Sequence, residues 1–216
     1  MVLVLIALVS CRTTRPPAGE ELAPIAASTS AEAEQMLSAR RSQFEGERSL
    51  VRVRYPTSRM TVSARGQLQV DRAGRVLLTI YTPIGTNAAR LYAENGELTF
   101  LNDLQSTAWQ GKASDFAGGL GLFGGALPTE SVAMLLVGLP PPGVDSISYS
   151  PAGMAEVRFP DVVVTYDPPV YPPKTIRIDR DGKRVSLEHL ESYADPEPLQ
   201  RPEIPRGYRC CVLPQM

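Results

Sequence analysis

The sequence predicts a mainly β protein of the α+β class, in which an incomplete antiparallel barrel is closed by helices. Three observations favour this fold. Apolar and polar residues alternate with a period of two after Gly46, and again after residue 145. Turn sequences such as Asn95-Gly96 and Asp181-Gly182 divide both stretches into hairpins. Two other segments have apolar residues at helical spacing.

The expected elements follow from this pattern. The first helix covers Ala31 to Phe44, where Gly and Pro are absent, with Ser30 as its N-cap. The second begins with Thr129 as N-cap and ends at Gly138. The expected strands cover residues 51–55, 62–70, 75–82, 88–94, 97–101, 105–110, 145–150, 154–159, 161–166, 174–179 and 183–190. Such a sheet curls around an apolar concave face that two helices are too few to fill, so a cavity or cleft is expected.

The first eleven residues have the pattern of a lipoprotein signal. The apolar run is shorter than the roughly 20 residues that cross a bilayer, and it ends in Leu8-Val9-Ser10-Cys11. We expect residues 1–10 to be removed and Cys11 to carry acyl chains that anchor the mature protein. An ordinary signal peptide with an incidental cysteine, or a buried first strand, is the alternative. Residues 11–30, rich in Pro, Ala, Gly, Ser and Thr, predict a flexible tether before a domain at residues 31–193.

Composition argues against several classes of function. The formal net charge is -1 at pH 7 and the charges are scattered, so no basic stripe is available for nucleic acid. Residues 194–216 are rich in Pro and predict a loose tail, which ends with the adjacent pair Cys210 and Cys211. Two neighbouring cysteines are too few for a zinc site. We expect them to have no role, and the alternative is a vicinal disulfide or a disulfide to another chain. We expect no metal and no cofactor.

Catalytic patterns are also missing, and we expect the protein not to be an enzyme. The one histidine, His189, is expected to be structural, because Val185 and Leu187 share its face of a strand. The glycine-rich residues 118–125 lack the Gly-Lys-Ser/Thr ending of a phosphate-binding loop. They are expected to form either an apolar segment that opens and closes over a cavity or a well-packed loop.

One turn carries an unusual residue. Between two expected strands, Ile84 stands at a Pro/Gly turn in the segment 81–87, where tips are normally polar. An exposed Ile84 could touch a membrane or a partner, and burying such a side chain is worth roughly 1.5 to 3 kcal/mol. The alternative is that Ile84 folds back into the core.

Several of these motifs, taken in order, resemble the family of the outer-membrane lipoprotein receptor LolB. The similar segments are Thr82-Pro83-Ile84-Gly85, Ala89-Arg90-Leu91 with the following Asn-Gly turn, Leu127-Pro128, Met134-Leu135-Leu136-Val137-Gly138-Leu139-Pro140 and the closing hairpin 176–190. The resemblance covers residues 31–193, and the lipoprotein signal at the front agrees with it. The chain differs from the family pattern in having Ile instead of Leu at position 84 and in its longer tail.

The resemblance implies an antiparallel half-barrel of eleven strands whose apolar cavity is covered by helices. It also implies a monomeric, lipid-anchored receptor at the periplasmic face of the outer membrane. Members of the family accept acylated lipoproteins from a soluble periplasmic carrier and insert them into that membrane. A protruding loop is needed for insertion, and it corresponds here to Pro83, Ile84 and Gly85.

Residues that line the acyl cavity are expected at alternate strand positions and in the helical cover. They are Leu78, Ile80, Leu91, Leu98, Phe100, Trp109, Phe116, Phe123 and Leu136. Two alternatives to a lipoprotein receptor stay open. A lipoprotein of the same fold could bind another envelope lipid or a glycolipid, or it could be a structural scaffold in the envelope.

Overall fold

The computed structural model describes residues 21–56, 60–116, 127–142, 144, 146–180, 182–195 and 197–210. Its centre is one 12-stranded sheet, and two α-helices cover one face of that sheet. All pairs of neighbouring strands are antiparallel except the last, which joins a two-residue strand to the sheet edge. The mainly β, half-barrel fold predicted from the sequence is therefore confirmed.

The elements lie close to the expected positions. The helices are α1 (Ser30–Ser42) and α2 (Thr129–Val137), and a 3-10 turn covers Ala113–Asp115. The strands are β1 (Gly46–Pro56), β2 (Thr61–Asp71), β3 (Val76–Tyr81), β4 (Asn87–Glu94), β5 (Glu97–Asn102), β6 (Thr107–Lys112), β7 (Ser146–Ser150), β8 (Gly153–Arg158), β9 (Val162–Tyr166), β10 (Thr175–Arg180), β11 (Lys183–Ala194) and β12 (Arg209–Cys210). Within the described ranges, no helix is both long and apolar enough to span a membrane.

The sheet order is β12-β6-β5-β4-β3-β2-β1-β11-β10-β9-β8-β7. Six strands form a meander, and the second group of strands joins it where β1 pairs with β11. This long-range pairing makes one continuous surface from two stretches of sequence. We call the face that carries Val51, Leu78 and Leu91 the inner face, because these residues belong to the main hydrophobic core together with α1 and α2.

The two helix starts differ from the expected ones by one residue each. Thr29, not Ser30, caps α1: its side-chain oxygen accepts a hydrogen bond from the backbone N–H of Glu32 at 3.2 Å. Pro128 precedes α2, and the Thr129 hydroxyl instead accepts from the backbone N–H of Gly96 at 2.9 Å. Thr129 therefore ties α2 to the β4–β5 turn. Gly138 ends α2 in the left-handed conformation, as expected.

The C-terminal residues do not form the loose tail that their composition suggests. Residues 197–210, which we call the C-terminal strap, cross the outer face of the meander. The backbone N–H of Leu199 donates to the Asp71 carboxylate at 2.9 Å, and the Tyr208 hydroxyl donates to Asp103 at 2.6 Å. The strap ends as β12, parallel to β6. It covers Tyr92, which is buried on the outer face although it lies outside the main core.

The second half of the expected tether is also attached to the domain. Glu21 forms an isolated bridge with Tyr193 of β11. Ile25 is buried in the main core, and its backbone N–H donates to the carbonyl of Tyr171 at 3.3 Å. The segment is therefore held against the sheet by a buried apolar side chain, a backbone hydrogen bond and the bridge at Glu21.

Candidate functional site

An apolar row crosses the inner face of β3 to β6. Leu78 lies opposite Leu91, Leu91 opposite Phe100, and Phe100 opposite Trp109. Because alternate residues of a strand point to the same face, Ile80 shares this face. The structure therefore brings together side chains that are dispersed over 32 positions of the sequence, as the period-two pattern predicted.

Aromatic rings close one end of this row. The Phe116 ring lies 5.0 Å from the Trp109 ring and 5.5 Å from the Phe100 ring, measured between centroids. Gly111 makes room for the indole, since a Cβ atom there would lie 3.0 Å from a carbon of the Trp109 ring. These tilted ring contacts hold the three aromatic side chains as one unit.

The expected cavity residues separate into a buried group and a rim. Ile80 and Phe100 are only partly buried and pack against the main core, so they form the rim. Those buried in the main core are Leu78, Leu91, Leu98, Trp109, Phe116 and Leu136. Phe123 and the rest of the glycine-rich segment lie outside the described residues. That the described residues line an acyl cavity stays a prediction.

The β3–β4 turn holds Ile84 away from the protein. Ile84 is 86% exposed, so it does not fold back into the core. The backbone N–H of Thr82 donates to the carbonyl of Thr86 at 2.8 Å, and their hydroxyls lie 2.8 Å apart. Gly85 adopts a positive φ of 86° in this turn. The hydrogen bonds fix the turn, so exposure of Ile84 is a property of a folded element.

Other exposed apolar side chains lie at the same end of the sheet, which we call the loop end. It carries the β1–β2 connection, the β3–β4 turn and the β5–β6 turn. Among the described residues, the large hydrophobic side chains that are clearly exposed are Ile84, Leu104 (69%), Met60 (66%) and Val62 (46%). All four belong to this end.

A buried polar cluster lies on the inner face where β1 meets β11. Ser49 donates to the Glu47 carboxyl at 2.5 Å, and its hydroxyl lies 2.8 Å from that of Ser192. The Ser192 hydroxyl in turn lies 3.3 Å from Nδ1 of His189. Glu47 is 1% exposed and His189 is 8% exposed. Within the part of the chain that the structure describes, Oε2 of Glu47 and Nε2 of His189 have no hydrogen-bond partner.

Burial disfavours the charged form of both groups. It raises the pKa of Glu47 to about 7, against the opposing effect of the hydrogen bonds from Ser49 and Ser192. It lowers the pKa of His189 to about 4, and the Leu136 backbone, which does not form a hydrogen bond of good geometry with Nε2, opposes this only in part. The cluster is therefore most stable with both groups neutral.

The cluster does not have the geometry of a Ser-His-acid triad. In a triad the acid and the nucleophile contact opposite nitrogens of the imidazole. Here Ser192 and Glu47 both face Nδ1, at 3.3 and 3.8 Å. The structural interpretation of His189 agrees with this arrangement. Across the described residues, no group of three or more His, Cys, Asp or Glu side chains is placed to hold a metal ion.

The sequence contained a signal for part of this cluster. Glu47 and Ser49 precede Val51 and Val53 at the same spacing of two, so the alternation already places them on the inner face. The contribution of Ser192 could not be found in this way, because a bulge in the β1–β11 pairing changes the register between Leu50 and Val51.

The two expected cysteine features have different outcomes. Cys11 lies outside the described residues, so its lipidation stays a prediction. Cys210 is exposed at the sheet edge in β12. Cys211 lies outside the described residues.

No known family pattern and no curated protein matches the chain. A putative outer membrane lipoprotein-sorting protein domain from Vibrio parahaemolyticus is similar in structure, with 8% identity and a TM-score of 0.49 over 76% of this chain and 92% of that one. A LolA superfamily protein from Nitrosomonas europaea has 10% identity and a TM-score of 0.44 over 77% and 95%. A DUF1329 family protein from Desulfovibrio piger has 9% identity and a TM-score of 0.45 over 78% and 94%. At TM-scores below 0.5, these likenesses do not assign the chain to a family or a function.

Proposed function

We propose that this protein is a lipid-anchored receptor at the periplasmic face of the outer membrane. It accepts acylated lipoproteins from a periplasmic carrier into its apolar inner face and delivers them to the membrane. The observation that carries the proposal is Ile84, held out by a hydrogen-bonded turn at one end of an open, apolar-faced sheet. The sequence resemblance to the LolB family supports the same role.

The inner face suits an acyl chain as cargo. An acyl chain needs apolar contact and no directed hydrogen bonds, and Ile80 and Phe100, which are only partly buried at the edge of the apolar row, offer that contact. The partly buried rim at Ile80 and Phe100 gives a place where the chain enters. Transfer from a carrier then requires only that the cargo bind this face more favourably than the carrier.

The exposed turn suits the delivery step. A bare Ile84 costs free energy in water and gains roughly 1.5 to 3 kcal/mol when an apolar phase covers it. Contact of the turn with a bilayer brings the loop end of the sheet close to the acyl region of the membrane. The cargo chains then have a short path from the inner face into lipid.

Binding and transfer, without a chemical step, are part of the proposal. The buried cluster of Glu47 and His189 supports this view, because its serine and its acid share one imidazole nitrogen. The proposed anchor is the lipidated Cys11, and residues 12–20 would link it to Glu21, where the chain joins the sheet.

The experiment mixes the chain from Arg12 to Met216 with a periplasmic carrier loaded with a triacylated lipoprotein. This chain keeps every described residue and removes the proposed anchor. We expect the cargo to move to the protein, as followed by co-purification on a gel. In the second step, vesicles are added and cargo that enters them is measured by flotation.

Variants separate the two steps. Ile84→Glu is expected to accept cargo and to fail in delivery, whereas Ile80→Asn at the rim is expected to fail in acceptance. Ala73→Glu, at an exposed position at the opposite end of the sheet, is the matched control and is expected to complete both steps. Absence of transfer to a folded wild-type protein from a matched carrier would contradict the receptor role. Co-purified phospholipid or glycolipid in its place would favour another envelope lipid as cargo.

A further inference from the structure

The membrane-contacting surface is wider than the turn that carries Ile84. We propose that the β3–β4 and β5–β6 turns enter the interfacial region of a lipid bilayer together, with Leu104 as a second anchor beside Ile84. This inference rests on the proposed function, because it takes Ile84 as a membrane contact. It adds a second turn and an electrically neutral mode of binding.

The two turns are neighbours in the fold. The backbone N–H groups of Asp103 and Leu104 donate to the carbonyl of Ala88, at 3.0 and 3.4 Å. Ala88 is the second residue of β4 and follows directly after the β3–β4 turn. Leu104 is 69% exposed, so each of the two neighbouring turns carries an exposed apolar side chain. Val62, on the adjacent β1–β2 hairpin, extends this surface.

The polar groups of the β5–β6 turn are largely satisfied within the protein. The backbone N–H of Gln105 donates to the side chain of Asn102 at 3.1 Å, and the Asn102 amide donates back to Gln105 at 3.1 Å. The carbonyl of Ser106 accepts from Arg209 of the strap at 2.9 Å. A polar group that already has a partner loses little when water is removed. Such side-chain bonds stabilise turns in water as well, and here they also reduce the cost of moving the turn into a bilayer.

The β3–β4 turn has the same property. Besides the bond from Thr82 to Thr86, the backbone N–H of Gly85 donates to the carbonyl of Thr82 at 2.9 Å, and that of Thr86 donates to the Thr82 hydroxyl at 3.2 Å. Ile84 is the apolar side chain at the centre of this closed ring of hydrogen bonds.

The described residues of the two turns carry one charge, and that charge is compensated. Asp103 accepts from Nε and Nη2 of Arg90 at 3.1 and 2.7 Å, and from the Tyr208 hydroxyl. Burial would raise the pKa of Asp103, but the hydrogen bonds from Arg90 and Tyr208 outweigh it and hold the pKa below its usual value. The pair is therefore neutral as a whole. The two turns themselves carry no net charge and contact a zwitterionic bilayer through apolar side chains, so we expect their contribution to the affinity to depend little on salt.

The experiment measures binding of the chain from Arg12 to Met216 to phosphatidylcholine vesicles by flotation, at low and high salt. Leu104→Glu and Ile84→Glu are each expected to lower the partition coefficient about tenfold or more. Ala73→Glu, at the opposite end of the sheet, is expected to leave it unchanged. Circular dichroism and urea unfolding test whether each variant folds. Both substituted positions are exposed, so we expect the fold to be kept.

A second measurement locates the contact. Leu104→Trp and Ile84→Trp are each compared with the wild type, whose Trp109 is buried, in vesicles with brominated acyl chains. We expect quenching of both introduced indoles and none of Ala73→Trp. Quenching of Ile84→Trp alone would overturn the inference and leave the proposed function intact. Binding that disappears at high salt would overturn the neutral mode. Absence of any vesicle binding would also overturn the inference that the two turns enter a bilayer. Acceptance of cargo from the carrier is a separate measurement and would still test the first step of the proposed function.

Discussion

Replacing Glu47 by glutamine should change how stability depends on pH. In the native state burial raises the pKa of Glu47 from 4.5 to about 7. The native state therefore keeps a proton that the unfolded chain releases. The stability that results is complete below pH 4.5 and is lost as the pH rises to about 7. Because one pKa unit corresponds to about 1.4 kcal/mol, the wild type should lose roughly 2 to 3 kcal/mol of this contribution between about pH 5 and pH 8.

The Glu47→Gln variant lacks this titration, so its unfolding free energy should fall less over the same range. A cost of burying the glutamine amide that does not vary with pH has no effect on the result, because only the change of the unfolding free energy with pH is compared. His189 titrates in both proteins: burial lowers its pKa, so its contribution is lost as the pH falls from 6.5 towards 4. The assay is urea unfolding followed by circular dichroism at several pH values. Parallel curves for the wild type and Glu47→Gln would refute the reasoning. Glu97→Gln, at the exposed first position of β5, is the matched control and should stay within about 0.5 kcal/mol of the wild type.

Two further substitutions test the strap and the inner face. Tyr208→Phe removes the 2.6 Å hydrogen bond to Asp103 and should lower the unfolding free energy by about 1 kcal/mol, with faster protease cleavage within the strap; unchanged cleavage would contradict the role of this bond. Gly66→Ala should destabilise the protein by about 2 kcal/mol or more, because its Cβ atom would lie 2.4 Å from the carbonyl oxygen of Thr79. Thermal unfolding measures the latter, and an unchanged midpoint would show that β3 can move aside.

The sheet was predictable from the sequence because its alternation records burial on one face. β3 was expected at residues 75–82 and spans Val76–Tyr81, and β4 was expected at 88–94 and spans Asn87–Glu94. Leu78 and Leu91, which were both expected to line the cavity, lie opposite each other. In these strands the local pattern and the tertiary structure agree.

The buried polar cluster and the strap were not predictable in the same way. Ser49 meets Ser192 only because β1 pairs with β11, and a bulge sets which β11 residues face inward. The strap has no period, since single contacts such as those of Leu199 and Tyr208 hold it. Composition rich in Pro indicates the absence of regular secondary structure, and it does not indicate the absence of packing.

The strap also determines when the fold can be completed during synthesis. A ribosome releases the chain from its N-terminal end, so residues 197–210 emerge only after strands β1 to β11. Asp71 is synthesised 128 residues before Leu199, its hydrogen-bond partner in the strap. Until then the outer face of β4 and β5 leaves the aromatic side chain of Tyr92 in water. A premature stop codon at Glu197 would therefore leave the inner face complete and expose an apolar outer face, which favours aggregation.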